Sequence, residues 1–172
     1  DIMSMLSRII KGFILVLIFW SVAGDCIRGV ENPRFSLGVG FAETINAGVK
    51  FPCGEKTQIG ISLGTWPSQN SYIFDWHSLV SISGDFYCHF GKRAFEHTLP
   101  CWYVRSGIDY MRLRFDDDKD NNMEIHIRFG RDFYVSEISG IGLDAGVAVF
   151  VLNESGLTQV LPAIGINLFF LF

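Results

Sequence analysis

The sequence has no block of basic residues. Its 14 Lys and Arg are scattered among 18 Asp and Glu, for a formal net charge of −4. Nucleic-acid recognition needs clustered positive charge, so a nucleic-acid partner is not expected. The 4 cysteines, Cys26, Cys53, Cys88 and Cys101, contain no Cys-x-x-Cys pair, and no Cys/His spacing fits zinc. Cys26 follows no lipoprotein-type box, so it is not read as a lipid attachment point. Long apolar runs are also scarce. The one that stands out, Phe13 to Trp20, is shorter than the roughly 20 residues a transmembrane helix needs. The acidic stretch from Asp116 to Asn122 has neither the Gly at its sixth position nor the Glu at its twelfth that an EF-hand requires. It reads as a solvated turn. No metal site and no cofactor are expected.

What is present leans toward β structure. Aromatic residues make up 15% of the chain, which favours strands. Near the start, Arg8 and Lys11 precede the Phe13 to Trp20 run, and Val22-Ala23-Gly24 follows as a small-residue cleavage site. This order predicts a signal peptide over residues 1–24, a lead segment over 25–33 and a barrel domain over 34–172. Export would permit disulfides.

The last twelve residues carry the strongest pattern. Ile164, Ile166, Leu168, Phe170 and Phe172 share one phase of a period-two alternation, and Ala163, Gly165 and Asn167 share the other. Seven further segments alternate in the same way, over 35–42, 45–51, 58–65, 76–90, 99–115, 123–135 and 140–152. In each, one face is apolar. The other mixes Gly, Ala and Ser with isolated charges. A soluble sandwich or lipocalin would put large apolar residues on its buried face and charge on its exposed one. Here the polar face is too small for a solvated surface and suits the narrow interior of an eight-stranded barrel. Most segments reach the roughly 9–11 residues that span a bilayer when tilted; the first three are somewhat short.

On this pattern, the expected leader and the terminal Phe, the chain resembles small eight-stranded outer-membrane barrels of the OmpA/OmpX/OmpW type from Gram-negative bacteria. The resemblance covers about Phe35 to Phe172. It implies an all-β, up-and-down transmembrane barrel in the bacterial outer membrane, with both chain ends on the periplasmic side. It also implies partners: outer-membrane lipid and lipopolysaccharide, the barrel-assembly machinery that reads Phe170 and Phe172, and an envelope protein of unknown identity. Porin-like conduction belongs to some such barrels. A peptidoglycan-binding domain after the barrel segment is not expected, so an OmpA-like tethering role is not expected to carry over.

The interior phase holds the expected site. Pairing the fifth and sixth segments about Asp118-Lys119 sets Asp109 opposite Arg128 and Arg105 opposite Asp132. The neighbouring pairings set Asp85 opposite Arg105 and Asp144 near Arg128. The six would form an ionic plug, since buried charges need partners and the Arg fork suits two carboxylates. Arg112 and Arg114 fall on the outward phase beside the acidic turn, where they could meet lipid phosphates. Arg131 is a charged exception on the outward phase. His77-Ser78 is the nearest local nucleophile and base, but adjacent strand residues point to opposite faces. The deacylase-type His-x-Ser-Asn pattern is absent, so no catalytic residue is assigned. The expected function is a non-enzymatic barrel with a structural, adhesive or envelope-accessory role. A narrow conduit for small or apolar solutes and a lipid-modifying enzyme are the alternatives. A Cys26–Cys53 bridge is geometrically feasible. Cys88 and Cys101 flank one turn but differ in phase, unless Pro100 marks a bulge.

Overall fold

Residues of a strand point alternately to opposite faces, so period-two sequences fold as sheets with two unlike sides. The computed structural model describes residues 33–41, 44–66, 69–71, 74–76, 78–114, 119–152 and 159–172. Their strands are β1 (Arg34–Phe41), β2 (Thr44–Pro52), β3 (Thr57–Trp66), β4 (Gln69–Ser71), β5 (Phe74–Trp76), β6 (Ser78–Arg93), β7 (Pro100–Arg114), β8 (Lys119–Ser136), β9 (Ser139–Leu152) and β10 (Val160–Leu171). Eight of them close a barrel in the order β1-β10-β9-β8-β7-β6-β3-β2. The terminal strand makes the closing seam, with Phe35 opposite Phe170 and Gly40 opposite Gly165, antiparallel. Closure pairs both edges of this sheet, so among the described residues the barrel has no open edge strand.

The strand β4 pairs only with β5, in a separate ribbon within the connection from β3 to β6. The sequence pattern predicts a plain loop there, and a strand starting at Trp76; the barrel strand starts instead at Ser78. The predicted leader over residues 1–24 and most of the lead segment lie outside the described residues. So do His77 and the Asp116 to Asp118 part of the acidic turn.

Two predicted registers are corrected. Between β7 and β8, Asp109 faces Glu124 and not Arg128, and Arg105 faces Arg128 and not Asp132. Lys119, Asp120, Asn121 and Asn122 read as loop residues by their polarity. They are paired strand residues opposite Arg114 to Met111, and each β7 residue faces a β8 residue four positions earlier than predicted. Between β6 and β7, Arg105 faces Tyr87 and Asp85 faces Gly107. A bulge between Phe90 and Arg93 shifts that register. Gly91 sits in the bulge at φ 84, a left-handed conformation that glycine adopts without strain. Both shifts are even, so every side chain keeps its predicted face. The β8–β9 register places Arg128 opposite Gly146 and Gly130 opposite Asp144.

The barrel is lopsided. β1, β2 and β3 have 8, 9 and 10 residues, whereas β6 to β9 have 16, 15, 18 and 14. Its outward face is apolar all round: Leu37, Ile45, Leu63, Ile82, Ile108, Ile127, Leu143 and Ile164 are all exposed, Leu63 by 62%. Near the end that carries the C-terminus, Trp102 packs on Phe129, and Phe129 on Phe90. Phe133, Phe170 and Phe172 stand exposed on the outside. Arg131 lies over the rings of Trp102 and Phe133, at 4.9 and 4.8 Å from their centres. Cation–π contact thus accommodates the one outward charge within this aromatic group. On the opposite rim, Tyr110 is exposed and its hydroxyl donates to Asn121 Oδ1 at 2.8 Å. The side chains of Tyr72, Phe74 and Trp76 lie outside the described residues.

Cys53 is disulfide-bonded, while Cys88 and Cys101 are free. Cys88 is exposed on the outside and Cys101 is half-buried, in keeping with their opposite phases. Cys26, the expected partner of Cys53, lies outside the described residues.

Candidate functional site

The inward positions build a polar column. It contains five buried carboxylates, Asp85, Asp109, Glu124, Asp132 and Asp144, and four buried cations, Arg34, Lys50, Arg105 and Arg128. His89 and His126 are buried with them. In a low-dielectric interior such groups persist only when paired or ligated. Three levels accomplish this differently.

At the terminal end, Arg34 donates to Asp132 Oδ2 at 2.5 Å and to the Tyr134 hydroxyl at 2.6 Å. Its guanidinium also stacks 4.1 Å from the centre of the Phe169 ring. His89 Nδ1 lies 2.9 Å from the Pro100 carbonyl and Nε2 lies 3.1 Å from Gln58 Oε1. Arg34, Gln58, His89, Asp132, Tyr134 and Phe169 each continue the inward phase of their strands toward the rim.

In the middle, Arg105 grips Asp85 with two parallel bonds, Nε to Oδ1 and Nη2 to Oδ2, both 2.8 Å. Such a fork-to-carboxylate pair is the strongest geometry available to arginine. Asp144 gathers three partners: Arg128 Nη1 at 3.3 Å, the Tyr103 hydroxyl at 3.1 Å and Arg105 Nη1 at 3.8 Å. Lys50 enters from the far wall and sits 4.4 Å over the Tyr87 ring. Gly130 makes room for Tyr103. A Cβ built there would collide with the ring and its hydroxyl. Beside this level a cavity of about 20 Å³, lined partly by Gly38, Gly60, Ser62 and Gly165, has room for about one water.

Toward the other end, Asp109 and Glu124 face each other across β7 and β8. His126, two residues along on the same face, has both ring nitrogens on carboxylates: Nε2 is 3.0 Å from Asp85 Oδ1, and Nδ1 is 3.1 Å from Asp109 Oδ2. Glu124 Oε1 is 3.9 Å from the same Nδ1.

The six residues predicted for the plug thus all lie inside. Asp85, Arg105, Arg128 and Asp144 are brought together at one level. Asp132 is instead held by Arg34, and Asp109 by His126. The sequence pattern placed Lys50, Glu124 and His126 on the inward face but did not assign them to the network. Arg34 was missed because it lies one residue before the first predicted segment; extending that segment's phase by two would have found it. Arg112 is exposed on the outside of β7, opposite Asn121 in register. Of Arg114 only the backbone is described, paired with Ser78 and Lys119.

These features define a closed eight-stranded antiparallel barrel with an ionic interior. Among solved structures, the fold is similar to the crystal structure of the N-terminal β-barrel domain of Pseudomonas aeruginosa OprF, with a TM-score of 0.53 and 15% sequence identity. The likeness covers 81% of this chain and 96% of that domain. No protein-family model matches the sequence, and no curated protein matches it.

Proposed function

We propose that this chain is an integral outer-membrane barrel with a non-enzymatic structural, adhesive or envelope-accessory role, its interior closed by its own side chains. The observation that carries the reading is the inversion of the barrel: apolar side chains stand exposed on the outside of all eight strands, while nine acids and bases are buried inside. Water would penalise that exterior, and a bilayer solvates it. The likeness to the OprF barrel domain supports the architecture. On this reading Phe170 and Phe172 serve the assembly machinery, Arg112 and Arg114 meet lipid phosphates, and lipopolysaccharide surrounds the outer rim.

The ionic column and the small cavity favour a plug over a conduit. Two measurements test the proposal. Protein expressed with its leader should stay in the outer-membrane fraction through alkaline carbonate washing. Purified, folded protein in a planar bilayer should show no steady conductance. A chain that remains dispersed without detergent would replace this reading with a soluble carrier, and a persistently open channel would replace the plug with a conduit.

A further inference from the structure

We infer that Asp109, Glu124 and His126 form a binding site for a first-row divalent metal cation inside the barrel, with Asp85 and Arg105 bracing the imidazole. This goes beyond the envelope reading and does not depend on it.

The placement follows from register. Asp109 and Glu124 are direct cross-strand neighbours, and His126 is the next inward residue after Glu124. One donor atom from each lies within 4.8 Å of the others. The separations from His126 Nδ1 are 3.1 Å to Asp109 Oδ2 and 3.9 Å to Glu124 Oε1. A cation with bonds of about 2.0–2.2 Å holds its ligands roughly 3–4 Å apart, so little adjustment is needed.

The second observation is Glu124 itself. It is 0% exposed, and no N–H donor hydrogen-bonds either of its carboxylate oxygens. Asp109 Oδ1 likewise has none. Two opposed carboxylates repel each other, and a buried one that no N–H donor reaches is costly. A dication between them relieves both penalties.

The third is the support behind the imidazole. His126 Nε2–H donates to Asp85, which Arg105 holds from the other side by its two-bond fork. A metal-binding histidine characteristically donates its second N–H to a carboxylate, which fixes the tautomer and leaves the other nitrogen for the metal. Gly107, opposite His126, provides the space: a Cβ there would lie 2.8 Å from His126 Cε1 and would collide with Asp85 Oδ1. Two carboxylates and one imidazole, with no thiolate, select the Mn²⁺ to Zn²⁺ class. The imidazole disfavours Ca²⁺ and Mg²⁺, which take oxygen ligands. Bound there, the ion cross-links β7 and β8.

The test uses Co²⁺ as probe. Full-length mature protein is unfolded, refolded into detergent micelles with Co²⁺, and desalted in chelator. Folded protein should retain about one Co²⁺ per chain and show visible d–d absorption. His97→Gln, which removes an exposed surface histidine, should retain the same amount. Glu124→Gln should lower retention about 10-fold or more, a loss common even for outer-shell changes. Should that variant fail to fold, wild-type protein refolded with Cu²⁺ decides: pulsed EPR should detect one imidazole nitrogen, unchanged in His97→Gln. Folded wild-type protein that retains no Co²⁺, equal retention by folded Glu124→Gln, or bound Cu²⁺ without nitrogen coupling would each overturn the site. In the first case the two carboxylates share a proton instead.

Discussion

Two cross-strand pairs on β7 and β8 set like charges face to face, and the barrel resolves them differently. Arg105 faces Arg128, and four residues closer to the β7–β8 turn Asp109 faces Glu124. The neighbours explain the contrast. At the arginine level the adjacent strands deliver carboxylates, Asp85 from β6 and Asp144 from β9, and both are bonded. At the acid level the strands on either side deliver Ser83, opposite Asp109, and Phe150, opposite Glu124. Neither brings positive charge, so compensation falls to His126 from the same strand as Glu124. In a narrow barrel a charged side chain is answered by what the flanking strands place at its level, and a residue's direct partner can be of the same sign.

The largest effect expected from breaking this comparison is at the answered level. Arg105→Ala leaves Asp85 without its fork and weakens the group around Asp144. Removing one member of a buried pair typically costs about 3–5 kcal/mol, because the other is left buried and uncompensated. Urea unfolding in detergent micelles should show that loss as a lower midpoint. A change below about 1 kcal/mol, the range of exposed ion pairs, would mean that water reaches this level and that the plug is not dry.

The sequence made the faces legible and left the heights obscure. Alternation assigns a side chain to inside or outside without knowing its partner, which is why Ser81, Ser83, Asp85, Arg105, His126 and Asp144 all sit where their phase puts them. Register depends on where a strand ends. The polar run from Lys119 to Asn122 looks like a loop because rim residues beyond the apolar band can be hydrophilic while their backbone stays paired. The bulge beside Gly91 gives little warning in composition, since glycine is frequent throughout the chain. Hence each predicted charge was inside, but Asp109 and Asp132 were assigned the wrong cations, and Arg34 was cut off by a strand boundary set one residue late.

A smaller effect is expected where the two levels meet. Gly107 lies opposite both Asp85 on β6 and His126 on β8. Gly107→Ala would push a methyl group against both side chains and separate the arginine level from the acid level. Overpacking of this kind typically costs about 1–3 kcal/mol. The thermal or urea midpoint should fall accordingly. Unchanged stability would show that His126 can swing away freely, which would uncouple Asp109 from Asp85.

The smallest expected change has the opposite sign. In chelator, Glu124→Gln replaces one of two facing carboxyl groups by an amide whose N–H can donate to Asp109. Opposed like charges across strands cost about 0.2–1 kcal/mol, so the variant should match or exceed the wild type by up to that amount. The contrast with Arg105→Ala is the point. Both substitutions remove one buried ionisable group from the same pair of strands, yet one removes a group answered from the flanking strands and the other a group answered only by His126 on its own strand. The measurement is the difference in urea midpoint between Glu124→Gln and wild type in metal-free micelles. A loss approaching that of Arg105→Ala would mean that Glu124 already has a full partner in the metal-free barrel, and the distinction between the two levels would fall.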